Sequence, residues 1–263
     1  KYNPGAGNVI GQKEGIICLG SGDFCTYIEP NGDYIYILYD MITLDMSKET
    51  TSEAFVGCDV YVARARKRSD GTIGDFVKYY NGSFSEAGNL GRETKILSDA
   101  WHPRVVYSEK EKTFIMTSKP IVSAMKGEIP DVGEGWKVMQ ISTSKDLINW
   151  SEQQMLAINN KTAGCTWAPE AYYNEETEEY MIFWASRTRS DGFAQQRIFY
   201  TTTKDFEEFA KPKVWINYPY STIDTTIIEE DGKYYRFTKY EDKARIIMEC
   251  ADSLLGEWTE VKS

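Results

Sequence analysis

The sequence predicts an all-β fold, a β-propeller, and three observations predict it. Apolar and aromatic residues alternate with period two along most of the chain. A pattern of apolar strand, tight turn, aromatic strand and third strand recurs four times. In two of these repeats an acidic residue stands just ahead of the apolar strand, at Trp167-Ala168-Pro169-Glu170-Ala171-Tyr172-Tyr173 and at Ile223-Asp224-Thr225-Thr226-Ile227-Ile228. A propeller blade whose first strand opens on a carboxylate delivers that group to a central pocket, and paired carboxylates in a sugar-sized pocket are the minimal apparatus of glycoside hydrolysis.

The first repeat places strands at 24–29, 34–39, 58–64 and 76–80, with Pro30-Asn31-Gly32-Asp33 as the turn between the first two. The second runs through 103–107, 113–117 and 137–142 to Asp146-Leu147-Ile148-Asn149-Trp150. The third has 168–173, 180–186 and 197–202, and ends on Asp205-Phe206-Glu207-Glu208-Phe209. The fourth has 224–228, 233–238 and 245–250, closing on 252–258. The Ser/Thr-x-Asp-x-x-x-Trp/Phe ending has a local cause, because Ser and Asp bond nearby backbone in turns while Trp150, Phe209 and Trp258 pack between blades. Two polar excursions, 41–57 and 121–136, read as long loops that shape a binding site.

No linker or composition break divides the 263 residues, so a single domain over 1–263 is expected, a common size for an undivided all-β architecture. A net charge of -10 repels a phosphate backbone and argues against nucleic acid as a partner. The 18 Tyr and 7 Trp suit a neutral ligand bound by ring stacking, although strands enrich the same residues. Five scattered cysteines (Cys18, Cys25, Cys58, Cys165 and Cys250) are no disulfide framework and read as buried thiols. The only histidine, His102, leaves no basis for a His-rich metal site. No segment reads as a signal peptide or membrane span, so no membrane is expected as a partner, and a first residue of Lys1 indicates a processed form or a cut piece.

Trp167-Ala168-Pro169-Glu170 and Ile223-Asp224 resemble glycoside hydrolase family 43, five-bladed propellers that release arabinose or xylose from plant polysaccharides. The likeness is close from about residue 137 onward and loose before it. It implies an inverting hydrolase with three acidic groups: an Asp base, a second Asp that tunes pKa and orients substrate, and a Glu acid followed by Gly-Pro. Asp224 takes the place of the second Asp, ahead of Asp231-Gly232-Lys233-Tyr234-Tyr235. One blade before Trp-Ala-Pro, where the resemblance puts the base, the chain has Trp101-His102-Pro103-Arg104. One blade past Asp224 lies beyond Ser263, and no Glu-Gly-Pro occurs, so four blades are visible of a five-bladed type.

Counted from the first repeat, the roles fall differently. Asp23, in Gly20-Ser21-Gly22-Asp23-Phe24, becomes the candidate base, Glu170 the proton donor and Asp224 the modulator. Inversion needs base and acid roughly 6.5–9.5 Å apart, with one carboxylate ionised and the other held protonated by burial or a like charge. Trp101, His102 and Trp167 with Arg104, Arg187 and Lys239, which follow or end inner strands, are the candidate substrate contacts. The implied activity is inverting hydrolysis of arabinose- or xylose-containing glycans, at an extracellular or periplasmic location. No cofactor is implied, although family members sometimes carry a calcium ion in the central channel. Two other readings stay open: a non-catalytic carbohydrate-binding propeller, and an enzyme lacking its acid blade.

Overall fold

The structure, a computed structural model, describes residues 15–30, 32–49, 51–88, 91–120 and 138–262. Among these residues the strands form four antiparallel meanders, each in chain order. The first blade holds β1 (Ile16–Ile28), β2 (Tyr34–Asp45), β3 (Phe55–Arg66), β4 (Val77–Tyr80) and β5 (Ser83–Ala87), with a single helical turn α1 (Thr51–Ala54) between β2 and β3. The second holds β6 (Ala100–Ser108), β7 (Thr113–Pro120), β8 (Met139–Ser144) and β9 (Gln154–Leu156). The third holds β10 (Trp167–Asn174), β11 (Glu179–Ser186), β12 (Arg197–Thr203) and β13 (Lys213–Ile216). The fourth holds β14 (Thr222–Glu230), β15 (Lys233–Tyr240), β16 (Arg245–Ala251) and β17 (Thr259–Glu260).

Short turns join the first two strands of each blade, and a few residues can join only antiparallel neighbours. Between β14 and β15, Asp231 and Gly232 both have positive φ, 52° and 72°, and Glu230 pairs with Lys233. That is the left-handed pair of a type I′ hairpin, whose twist matches the strands it joins. The aspartates at the blade ends act as their side chains suggest. Asp146 Oδ1 accepts from the backbone N–H groups of Ile148 and Asn149, and Asp205 Oδ1 does the same for Glu207 and Glu208. Trp150 and Trp258 each donate their indole N–H to a backbone carbonyl four or fewer residues back, Leu147 and Leu254.

Two expectations need correction. The span 41–57 is largely regular structure: β2 continues to Asp45, α1 follows, and β3 begins at Phe55, with Ile42 opposite Cys58. Met41-Ile42-Thr43-Leu44 is a β-branched and apolar run that extends the sheet despite the acidic residues around it. The cysteines are not uniformly buried either. Only Cys58 and Cys165 are, while Cys18 is exposed and Cys25 and Cys250 are half-buried, because period two turns alternate strand positions outward. The predicted loop 121–136 lies outside the described residues.

The described residues divide into two compact units, one reaching to Pro103 and including 146–150, the other comprising 104–120, 138–145 and 151 onward. The first unit is cored by Leu38, Cys58, Val60 and Val62 of β2 and β3. In the second, β11 is buried along nearly its whole length and serves two cores in alternation. Tyr180, Ile182 and Trp184 pack with Ile115, Met139 and Ile141 of the second blade. Met181, Phe183 and Ala185 pack with Ile223, Ile227 and Tyr234 of the fourth. A strand with blades on both faces reads as a continuous apolar run rather than an alternating one, which is why Tyr180-Met181-Ile182-Phe183-Trp184-Ala185 is apolar throughout.

Trp184, 1% exposed, fills the first of these cores, so Trp184→Ala leaves a large cavity. Urea unfolding is expected to show a loss of roughly 3–5 kcal/mol, against a change within about 0.5 kcal/mol for Ile228→Ala on the exposed face of β14.

Candidate active site

The first strand of each blade carries one residue in the left-handed backbone region: Gly22 in β1 at φ 94°, His102 in β6 at 54°, Ala168 in β10 at 45° and Asp224 in β14 at 50°. In β1, β10 and β14 the pairing register shifts across this residue, between Gly20 and Phe24, Trp167 and Glu170, and Ile223 and Thr226. A bulge of this kind bends the strand and re-aims its side chains. For a residue with a Cβ it costs of order 1–3 kcal/mol, so it persists only where its surroundings enforce it. The four positions are therefore equivalent. Asp224 occupies one of them, and His102 stands at the same point of the second blade. Asp23 lies one residue further along, in line with Pro103, Pro169 and Thr225.

In the first unit, Asp23 is held by two aromatic neighbours from β6. Trp101 donates its indole N–H to Asp23 Oδ2 at 3.0 Å, and His102 Nδ1 lies 3.1 Å from Oδ1. The indole and imidazole rings stack at 5.3 Å and 9°, and Phe55 continues the stack at 6.2 Å from Trp101. The backbone N–H of His102 donates to Asp40 Oδ2 at 3.0 Å. That bond helps hold the left-handed conformation, and it gives the buried Asp40 carboxylate a donor. Beneath this group burial pushes the Cys58 thiol up, an effect that the carboxylates of Asp40, Asp59 and Asp23 reinforce, so it is a packing residue and not a nucleophile.

In the second unit, Glu170 sits between the first strands of three blades. Arg104 of β6 donates its Nε–H to Glu170 Oε2 at 3.2 Å, and Thr226 of β14 donates its hydroxyl to Oε1 at 2.8 Å. The side chain of Glu170 is 15% exposed. Loss of hydration raises its pKa, and the charge of Arg104 and the hydroxyl of Thr226 pull in the opposite direction. Asp224 contrasts with it at 43% exposed, with Lys239 Nζ at 3.9 Å from Oδ2 and that same ammonium 2.7 Å from Glu241 Oε2. The Trp167 ring has two cations above it, Arg187 and Lys119, each at 5.6 Å. Thr117 locks the neighbouring strands by donating to the Pro169 carbonyl at 2.9 Å.

The predicted residues thus gather as Asp23, Trp101 and His102 in the first unit and as Arg104, Trp167, Glu170, Arg187, Asp224 and Lys239 in the second. Sequence reading missed Asp40, Lys119 and Thr226. Asp40 had a signal, a lone carboxylate in the apolar run of β2, whereas a lysine or threonine at a strand position has none. Among the described residues no three His, Cys, Asp or Glu side chains converge as metal ligands. A calcium ion held by backbone oxygens and water would need no such cluster.

A family model described as a probable glycosyl hydrolase domain, of the family 43-related kind, matches residues 101–263, more than half of the chain. The chain belongs to this family. Its match begins at Trp101, so it includes His102, Arg104, Glu170 and Asp224 and leaves Asp23 and Asp40 outside. An α-L-arabinofuranosidase from Bifidobacterium longum subsp. longum is 33% identical over 153 residues, 51% of this chain. The chain spans only 14% of that protein's length. Among solved structures, RS223-β-xylosidase superposes with a TM-score of 0.60 at 12% identity, over 91% of this chain and 76% of that one. The α-L-arabinofuranosidase PaAbf62A from Podospora anserina, in complex with cellotriose, gives 0.55 at 12% identity, over 99% of this chain and 70% of that one. These likenesses place the fold of this family member among the β-propeller glycosidases.

The buried pair sets two expectations. Arg104→Ala leaves Glu170 without its cation and is expected to cost roughly 3–5 kcal/mol by denaturant unfolding. Because the folded state binds the Glu170 proton more tightly than the unfolded chain does, this group favours folding most below an unfolded pKa of about 4.3, and its contribution falls as pH rises through the raised value. Glu170→Gln cannot titrate, so its stability curve is expected to lack that fall; identical pH slopes in the two proteins would refute the assignment.

Proposed function

We propose that the chain carries the catalytic machinery of an inverting glycosidase acting on arabinose- or xylose-containing polysaccharides or oligosaccharides. The observation that carries this reading is Asp224, an exposed carboxylate on a strained bulge at the family's motif position, inside the matched region. The names of the similar proteins, an arabinofuranosidase and a xylosidase, support the sugar class.

The roles follow from each group's surroundings. Asp224, exposed and close to Lys239, tunes the pKa of the donor and orients the sugar. Glu170 is the proton donor, since desolvation favours the protonated form that a general acid must hold. Asp23 is the base, its carboxylate oriented by the Trp101 indole N–H and by His102. Trp167 offers a ring face to a sugar, and Arg104, Arg187 and Lys239 offer donors to its hydroxyls. A calcium ion in the channel and an extracellular or periplasmic location remain part of this proposal.

One observation favours a second reading, a carbohydrate-binding propeller without catalysis: both carboxylate oxygens of Glu170 are already taken by Arg104 and Thr226. Sugar release from arabinan and arabinoxylan oligosaccharides, with the product anomer followed by NMR, separates the two. Hydrolysis with inversion, reduced at least about a hundredfold in each of Asp23→Asn, Glu170→Gln and Asp224→Asn, is the expected result. Bound but uncleaved glycan, with binding intact in those variants, would establish the second reading instead.

A further inference from the structure

Lined by none of the candidate active-site residues, a groove of about 400 Å³ lies between the third and fourth blades of the second unit. That volume lies within the range of small-molecule sites. Trp215 and Tyr218 line it from the third-blade side, and Arg236, Glu249 and Trp258 from the fourth. Val214 and Leu255, 46% and 51% exposed, form an apolar rim.

The floor of the groove is a buried ion pair set among aromatic rings. Arg236 Nε donates to Glu249 Oε2 at 2.7 Å, with side chains only 6% and 4% exposed, and the Tyr218 hydroxyl donates to Glu249 Oε1. The guanidinium lies 4.3 Å from the Trp258 ring centroid and 5.0 Å from that of Trp215, and the two indoles meet edge to face at 5.8 Å. Both oxygens of Glu249 are occupied, so the pair is neutral overall and offers nothing to a free anion or cation. Arg236 Nη1 and Trp215 Nε1 lack a hydrogen-bond partner among the described residues, but both atoms are enclosed and closed to a ligand. The polar group open to the groove is the amide of Asn217, an exposed lining residue. Aromatic lining, a neutral floor and one amide at the edge together describe the demands of an uncharged sugar ring, which stacks by its C–H face and hydrogen-bonds through its hydroxyls.

We propose that this groove is a second carbohydrate-binding site, taking one neutral sugar residue of a long glycan while hydrolysis proceeds elsewhere. The proposal rests on the reading of the substrate as a glycan. It predicts that the groove matters for polymers and not for small substrates. The test is affinity electrophoresis in soluble arabinoxylan and in linear arabinan, run beside kcat/KM on a nitrophenyl arabinofuranoside and a nitrophenyl xyloside. Two variants are compared with the unaltered protein: Trp215→Ala, which removes the platform, and Leu255→Asp, a change at the exposed rim that spares the core. The expected result is retardation of the unaltered protein, with polymer affinity about tenfold weaker in both variants and aryl-glycoside kcat/KM unchanged. Retardation equal to that of the unaltered protein in Leu255→Asp and in a folded Trp215→Ala would overturn the site, as would no retardation of the unaltered protein in either polymer. If Trp215→Ala melts early, Leu255→Asp decides alone. Variant-sensitive retardation in a protein that cleaves neither aryl glycoside would keep the groove and overturn the catalytic reading.

Discussion

A single carboxylate ties the first strands of three blades together in the second unit. Glu170 on β10 accepts from Arg104 on β6 and from Thr226 on β14, partners 66 and 56 residues away in sequence. A buried carboxyl group must have partners, because the cost of desolvation is repaid only by close, well-aligned donors. Strand register in all three blades is thereby coupled to one side chain. The cores on either face of β11 supply most of the burial, but apolar packing is tolerant of small sliding and a two-ended hydrogen-bonded carboxylate is not.

That coupling explains how strained backbone survives in the same region. Ala168 and Asp224 both adopt the left-handed conformation, an unfavourable choice for residues with a Cβ, and each lies two residues before a member of the Glu170 network. Pinning Glu170 and Thr226 leaves the bulges preceding them little freedom to relax. His102 shows a parallel arrangement in the first unit, where the buried Asp40 holds its backbone N–H. The same backbone device thus presents glycine, histidine, alanine and aspartate in four successive blades. The scaffold repeats and the chemistry does not, which is how one fold carries sites of different composition.

The repeat was legible because it rests on local physics. Period two, the Asp-Gly hairpin at 231–232 and the aspartate turns at Asp146 and Asp205 all act within a few residues, so the sequence displays them directly. Asp224 was legible for the same reason, standing just before such a hairpin. The excursion at 41–57 was misread because charged residues at 45–53 resemble a loop, although the pairing of β2 with β3 continues past them. Arg104 and Thr226 as partners of Glu170, Asp40 behind His102, and the Trp215–Arg236–Trp258 cluster depend on contacts between strands far apart in sequence. No spacing rule in one chain reveals such contacts.

The two carboxylates of the second unit divide along the line that separates architecture from chemistry. Glu170 is enclosed, doubly bonded and shifted toward its neutral form, while Asp224 is exposed on a bulge with a lysine near it. An acid that must release and regain a proton during each turnover needs the first environment, and a carboxyl group that orients a sugar and tunes its neighbour needs the second. If Glu170 gives up its proton to a leaving group, Arg104 and Thr226 already stand where the resulting anion requires them. The same bonds that hold the strands together would then stabilise the ionised product of the acid step. A structural clamp and a general acid are therefore compatible in one residue, provided that a leaving-group oxygen can reach Oε1 or Oε2 within hydrogen-bond distance.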